Sequence, residues 1–219
     1  MTPKADSPTL KYERDLWGGG LSHVAGFDEA GRGALAGPVA VAAVILPPNP
    51  RLTWTLAGVR DSKQMTFRQR EVWAARIKSV ALAWRVDFAA VEEIDQLGIV
   101  RGTSLAATRV LENLTTLPEY LLLDFRLGLP ESPLPQTALV KGDQISLSIA
   151  AASVLAKTTR DEAMRELDTQ YPDYGLGQNK GYGTQAHRSA MMRLGYSPVH
   201  RKSFVLKELR STFHALRNS

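Results

Sequence analysis

The sequence predicts an α/β domain with a mixed central β-sheet flanked by helices and a helical C-terminal segment. Three observations carry this. Short apolar runs rich in β-branched residues, "HVAGFD" and "GPVAVAAVIL", come early and read as buried strands. Two later apolar runs, "EYLLLDF" and "TALVKGD", read as strands that each end on an acid. Segments with helical spacing separate and follow the later strands, the order expected of a sheet covered by helices.

Taken in order, residues 1–20 read as a polar, mobile extension closed by Gly18, Gly19 and Gly20, and residues 21–219 as one domain. "HVAGFD" and "GPVAVAAVIL", which ends at Leu46, are the first two strands, and "PPNPRLTW" is a loop. "TFRQREVWAARIKSVA" carries Phe67, Val72, Ile77 and Val80 among charges and reads as a helix with Thr66 as its N-cap. "LAWRVDFAAV" is a third strand. Glu92, Glu93 and Asp95 lie in a helix-like segment as a solvated face, and "SLAATRVLENL" is helical. After the two acid-terminated strands, "SLSIAAASVLAKTTRDEAMRELDTQY" is a long helix whose alanines allow close packing on a sheet or helix. "PDYGLGQNKGYG" is a glycine-dense loop, and short helices follow near 185–194 and 205–216.

Composition narrows the function. Lys and Arg number 27 against 22 Asp and Glu, a net charge of +5 that suits a polyanionic partner. The absence of cysteine excludes disulfides, thiolate catalysis and cysteine-ligated zinc. No apolar run is long enough to span a membrane, and the N-terminus, charged throughout, is not a secretory signal. The expectation is a cytoplasmic monomer with no membrane contact.

Asp28, Asp124 and Asp143 share one context: each ends an apolar strand or opens the turn after it. A single such Asp is usually a turn or cap residue. Three converging at one sheet edge, with Glu29 beside Asp28, would repel one another unless a divalent cation relieved the repulsion. Hard oxygen ligands suit Mg²⁺ or Mn²⁺. Two such ions about 3.5–4 Å apart can activate water and stabilise the leaving oxygen of a phosphodiester. Lys63 and Lys141 are candidate phosphate contacts, Lys141 because it alternates onto the same strand side as Asp143.

"GFDEAGRGALAGPV" resembles the opening motif of ribonuclease HII, the type 2 ribonuclease H. "DSKQMT", "LLLD", "KGDQISLSIAAASVLAKTTRD", "NKGYGTQAH" and "PVHRKSF" resemble that family's further motifs in the family's order, over roughly residues 23–206. The resemblance implies a ribonuclease H-like fold and a metal-dependent endoribonuclease. Such an enzyme cleaves the RNA strand of RNA–DNA hybrids and incises at single ribonucleotides embedded in duplex DNA, leaving 3′-hydroxyl and 5′-phosphate ends. By motif, it makes Asp28, Glu29, Asp124 and Asp143 the metal-binding acids, with Mg²⁺ or Mn²⁺ as cofactor and two ions during catalysis. Gly31, Arg32 and Gly33 become the segment that reads the ribose 2′-hydroxyl, and Tyr182 the tyrosine beside the RNA–DNA junction.

Glycines there let backbone atoms approach a sugar, and the 2′-hydroxyl is what distinguishes RNA from DNA. Phe125 departs from the glycine the family usually has after its third acid. Ribonuclease HIII relatives carry an N-terminal substrate-binding domain, whereas 22 residues precede "HVAGFD" here, which favours HII. Ser153 reads as a helix-packing residue, Asp161 as a partner of Arg160 or another cation, and His187 and His200 as non-catalytic. The alternatives are a DNA-directed two-metal nuclease and a non-catalytic RNA-binding domain.

Overall fold

The computed structural model describes residues 7–59, 62 and 65–204. Five strands form one sheet: β1 (Val24–Ala30), β2 (Val39–Ile45), β3 (Ala83–Ala89), β4 (Tyr120–Asp124) and β5 (Gln136–Leu139), in the spatial order β3-β2-β1-β4-β5. The β1–β2 and β2–β3 pairs are antiparallel, and the β1–β4 and β4–β5 pairs are parallel. The sheet is therefore mixed. The helices are α1 (Lys11–Gly18), α2 (Leu52–Thr55), α3 (Phe67–Val80), α4 (Val91–Glu112), α5 (Gly142–Ile145), α6 (Leu147–Gln170), α7 (Leu176–Asn179) and α8 (Gln185–Leu194).

β2 is buried along its whole length, which explains its unbroken apolar sequence. Its side chains alternate between two cores. Ala40, Ala42 and Val44 face a core shared with α3 and α6; Val39, Val41, Ala43 and Ile45 face one shared with α4. The alanines of α6 bring it down onto the sheet as expected. Its backbone sits so close to β1 that a Cβ on Gly26 would lie 2.3 Å from the Ser148 carbonyl carbon. Thr66 caps α3 as the sequence predicts: it accepts the Gln69 N–H, and the Gln69 side chain accepts the Thr66 N–H.

Three readings are corrected. The described part of the N-terminal extension is not a mobile tail: α1 docks on the domain, with Leu10 and Glu13 fully buried. Its signal was missed because its buried face is short and mixed with charge. "TALVKGD" is not one strand. β5 stops at Leu139, Lys141 takes a left-handed turn (φ 54°), and Asp143 lies on the helical turn α5. The cause is Gly142, whose N–H is taken by the Asp124 carboxylate at 2.9 Å and which packs against Ile149. Lys141 and Asp143 therefore do not alternate along a strand, and Lys141 is exposed.

The segment of Glu92, Glu93 and Asp95 is not simply solvated. Glu93 pairs with Arg109 at 2.8 Å, and Asp95 accepts the N–H groups of Lys202 and Ser203, both at 2.9 Å. α8 matches the predicted 185–194 helix. The expected 205–216 helix lies outside the described residues.

Candidate metal centre and nucleic-acid site

β1 and β4 run parallel side by side, Phe27 opposite Leu123, so the next residues, Asp28 and Asp124, emerge together at the carboxyl ends. That edge is where open α/β sheets place their ligands. Ligand oxygens of Asp28, Glu29 and Asp124 lie within 4.8 Å of one another. Asp143 approaches from α5 and is buried. Burial, then the charges of Glu29 and Asp124 and, more weakly, Asp143, push the Asp28 carboxyl well above the usual carboxylate range. A hydrogen bond with Ser153 acts the other way. So Ser153, read from sequence as a packing residue, also touches the first acid, and it bonds Ser62 at 2.9 Å.

An all-carboxylate set, crowded enough to hinder its own ionisation, fits a hard divalent cation. The structure brings Asp28, Glu29 and Asp124 together with Asp143 beside them, despite the change in Asp143's local setting.

The Gly31–Gly33 loop lies directly after β1; buried Arg201 bonds it, and buried Arg160 packs against Gly31 and bonds the segment that follows. Arg201 donates to the carbonyls of Gly31, Arg32 and Gly37 at 2.8–3.0 Å. Arg160 donates to Ala36, Pro38 and Lys180 at 2.8–3.2 Å. Burial, and then Arg160, push the Arg201 guanidinium down to about 9, which still leaves it charged at neutral pH. The sequence gives no sign of this role, because the loop and its arginines are more than 120 residues apart.

Arg32 bonds the Arg126 carbonyl and lies 3.8 Å from Glu29. Phe125, next to Asp124, is 63% exposed, while its N–H continues the sheet to Leu139. Lys63 falls outside the described residues.

Tyr182 is 37% exposed, with Lys157 and Arg160 about 5.5 Å from its ring centroid. Its carbonyl ends a hydrogen-bond chain. The Ser197 N–H donates to His200 Nδ1, which leaves His200 Nε2–H to donate to His187 Nε2 at 3.1 Å; His187 Nδ1–H then donates to Tyr182. The two histidines thus pair with each other. Burial, then His187, push His200 down to about 4. Asp161 pairs with Arg70 and Lys157, each at 2.7 Å, and not with Arg160.

With this geometry in view, the comparisons decide the family: the family model for ribonuclease HII matches residues 25–207. The chain belongs to the ribonuclease HII family. A ribonuclease HII of Synechococcus sp. (strain JA-3-3Ab) is 54% identical over 213 residues, covering 95% of this chain and 93% of the relative. The ribonuclease H2 of Pyrococcus horikoshii OT3 shares the fold with a TM-score of 0.71 at 23% identity, over 90% of this chain and 100% of that one. Bst-RNase HIII, solved in complex with Mn²⁺, shares it with a TM-score of 0.64 at 20% identity, over 90% of this chain and 71% of that one. As a ribonuclease HII family member, the protein is a ribonuclease H acting on RNA–DNA hybrids, and membership implies a divalent metal. Among the described residues no helix is long and apolar enough to cross a membrane.

Proposed function

We propose that this ribonuclease H, besides cutting the RNA strand of hybrids, incises at single ribonucleotides embedded in duplex DNA and leaves 3′-hydroxyl and 5′-phosphate ends. The observation that carries this is the placement of the Gly31–Gly33 loop immediately beyond Asp28 and Glu29. A sugar held by that loop puts its phosphate over the acids.

Asp28, Glu29, Asp124 and Asp143 would hold Mg²⁺ or Mn²⁺, two ions during catalysis; the Mn²⁺ bound by Bst-RNase HIII is in keeping with this donor set. Bound metal supplies positive charge for the phosphoryl oxygens and an activated water. The chain's own contribution is position. Ser153 orients Asp28. The Asp124 carboxylate fixes the turn that carries Asp143. Arg201 holds the loop and Arg160 the segment after it, and the Gly31 carbonyl already accepts from both Ala34 and Arg201. Recognition of the 2′-hydroxyl therefore falls to the loop's N–H groups and to the open side of Gly33. Tyr182 packs against the sugar at the RNA-to-DNA step, and Lys63 and Lys141 contact flanking phosphates. Water attacks the phosphorus in line, and no covalent enzyme intermediate is needed. The enzyme acts as a cytoplasmic monomer.

The test is a duplex with one embedded ribonucleotide beside the same duplex in all-DNA form, with Mg²⁺ or Mn²⁺. Incision of the first alone, leaving 3′-hydroxyl and 5′-phosphate ends, is the expected result. Equal cutting of both would make the protein a DNA nuclease, and binding without cutting a non-catalytic domain.

A further inference from the structure

The α5–α6 junction carries Asp143, and it is gripped from outside by the N-terminal segment. Thr9 lies across it as a short parallel bridge: its N–H donates to the Ile145 carbonyl at 3.1 Å, and its carbonyl accepts the Leu147 N–H at 2.9 Å. One turn into α1, Glu13 is fully buried. Its Oε1 accepts from Ser146 Oγ at 2.6 Å, Ser148 Oγ at 2.7 Å and the Ser148 N–H at 2.9 Å. A carboxylate buried at the first turn of α6 also faces the positive end of that helix.

The bonds continue inward. Ser146 caps α6 through its hydroxyl and donates its N–H to the Gly142 carbonyl at 2.9 Å. The Gly142 N–H is in turn held by Asp124 at 2.9 Å. Glu13 thus connects through Ser146 and Gly142 to Asp124, and Asp143 directly follows Gly142, inside the turn that the Ser146–Gly142 bond closes. A charged group taken fully out of water needs a return for its desolvation. Glu13 makes three hydrogen bonds to two serines at the start of α6, one of which closes the turn that carries Asp143.

We propose that Glu13 is a positioning residue for the metal centre: the N-terminal strap, through Glu13 and Ser146, sets the placement of Asp143 against Asp124. This rests on the reading of those two acids as metal ligands. Groups that orient metal ligands from behind typically matter by 10–100-fold in affinity when removed.

The test titrates Mn²⁺ calorimetrically into the full chain without nucleic acid, alongside melting in EDTA and kcat and KM on an RNA–DNA hybrid. Glu13→Ala should weaken Mn²⁺ binding by roughly tenfold or more and lower kcat while KM for the hybrid stays near wild type. Glu13→Gln, which keeps the accepting oxygen, should recover most of the affinity. Val110→Ala, in the core on the far side of the sheet, should lower the melting temperature without changing Mn²⁺ affinity. If Glu13→Ala does not fold, Ser146→Ala cuts the same link and should weaken Mn²⁺ binding. Unchanged affinity in whichever of these variants folds, or equal loss in Val110→Ala, overturns the proposal. A wild-type chain that takes up no Mn²⁺ would instead overturn the metal-site reading beneath it.

Discussion

Replacing Gly31 by Ala should damage the fold, whereas replacing Gly33 by Ala should damage only recognition. Gly31 has φ +92°, a left-handed backbone that costs an L-residue about 1–2 kcal/mol. A Cβ there would lie 1.7 Å from Arg160 Nε and 2.4 Å from its Cδ and Cζ. Arg160 cannot swing into solvent: it is fully buried and donates to three carbonyls. At least one of those bonds must break, and hydrogen bonds to charged groups contribute about 1.5–3 kcal/mol each. The total is roughly 3–5 kcal/mol, or a fall in Tm of about 10 °C for a chain of this size. Gly33 is exposed, and a Cβ on it meets nothing within 4 Å. Its substitution should change stability by no more than about 0.5 kcal/mol, yet slow incision at a single ribonucleotide. Scanning calorimetry of both variants with cleavage below their melting points separates the effects. Equal Tm losses, or a Gly31→Ala protein as stable as wild type, would refute the reasoning.

Two further outcomes are expected. Tyr182→Ala should slow single-ribonucleotide incision by about tenfold or more, the loss of a stacking contact worth about 1–3 kcal/mol, and slow hybrid cleavage less; equal losses on both substrates in a gel assay would make Tyr182 a general binding residue. His200, ordinarily near 6.5, is pushed to about 4 in the fold. A depressed histidine contributes stability that is full above its unfolded value and lost as pH falls from 6.5 towards 4, up to about 3 kcal/mol. Melting temperatures of wild type and His200→Asn between pH 7 and pH 4 should therefore converge, and parallel curves would contradict the assigned histidine chain.

What the sequence made legible was local. The strands β1 to β4 announce themselves by apolar runs, α3 by the Thr66 capping box, and α6 by alanines that must fit over Gly26. Asp28 and Asp124 were legible because parallel neighbours bring strand ends together. Asp143 lies near Asp28 but on a helical turn instead of the predicted strand end, since a left-handed Lys141 and the Asp124 bond to Gly142 are tertiary effects. Glu13 looked like one charge in a polar extension because its partners lie 133 and 135 residues away. Arg160 and Arg201 sat within recognisable motifs, but what they hold is visible only once the Gly31–Gly33 loop is folded over them. The pairing of His187 with His200 is likewise a tertiary contact that no local pattern announces.

The central claim is that the acids at the carboxyl ends of β1 and β4 form a divalent-metal centre for cleavage. Asp124→Asn tests it most directly, because the amide oxygen can still accept the Gly142 N–H while the ligand charge is lost. The measurement is turnover of an RNA–DNA hybrid in saturating Mg²⁺, beside the melting temperature in EDTA. The account predicts near-abolition of cleavage with melting close to wild type; near-normal turnover in the folded variant would contradict it.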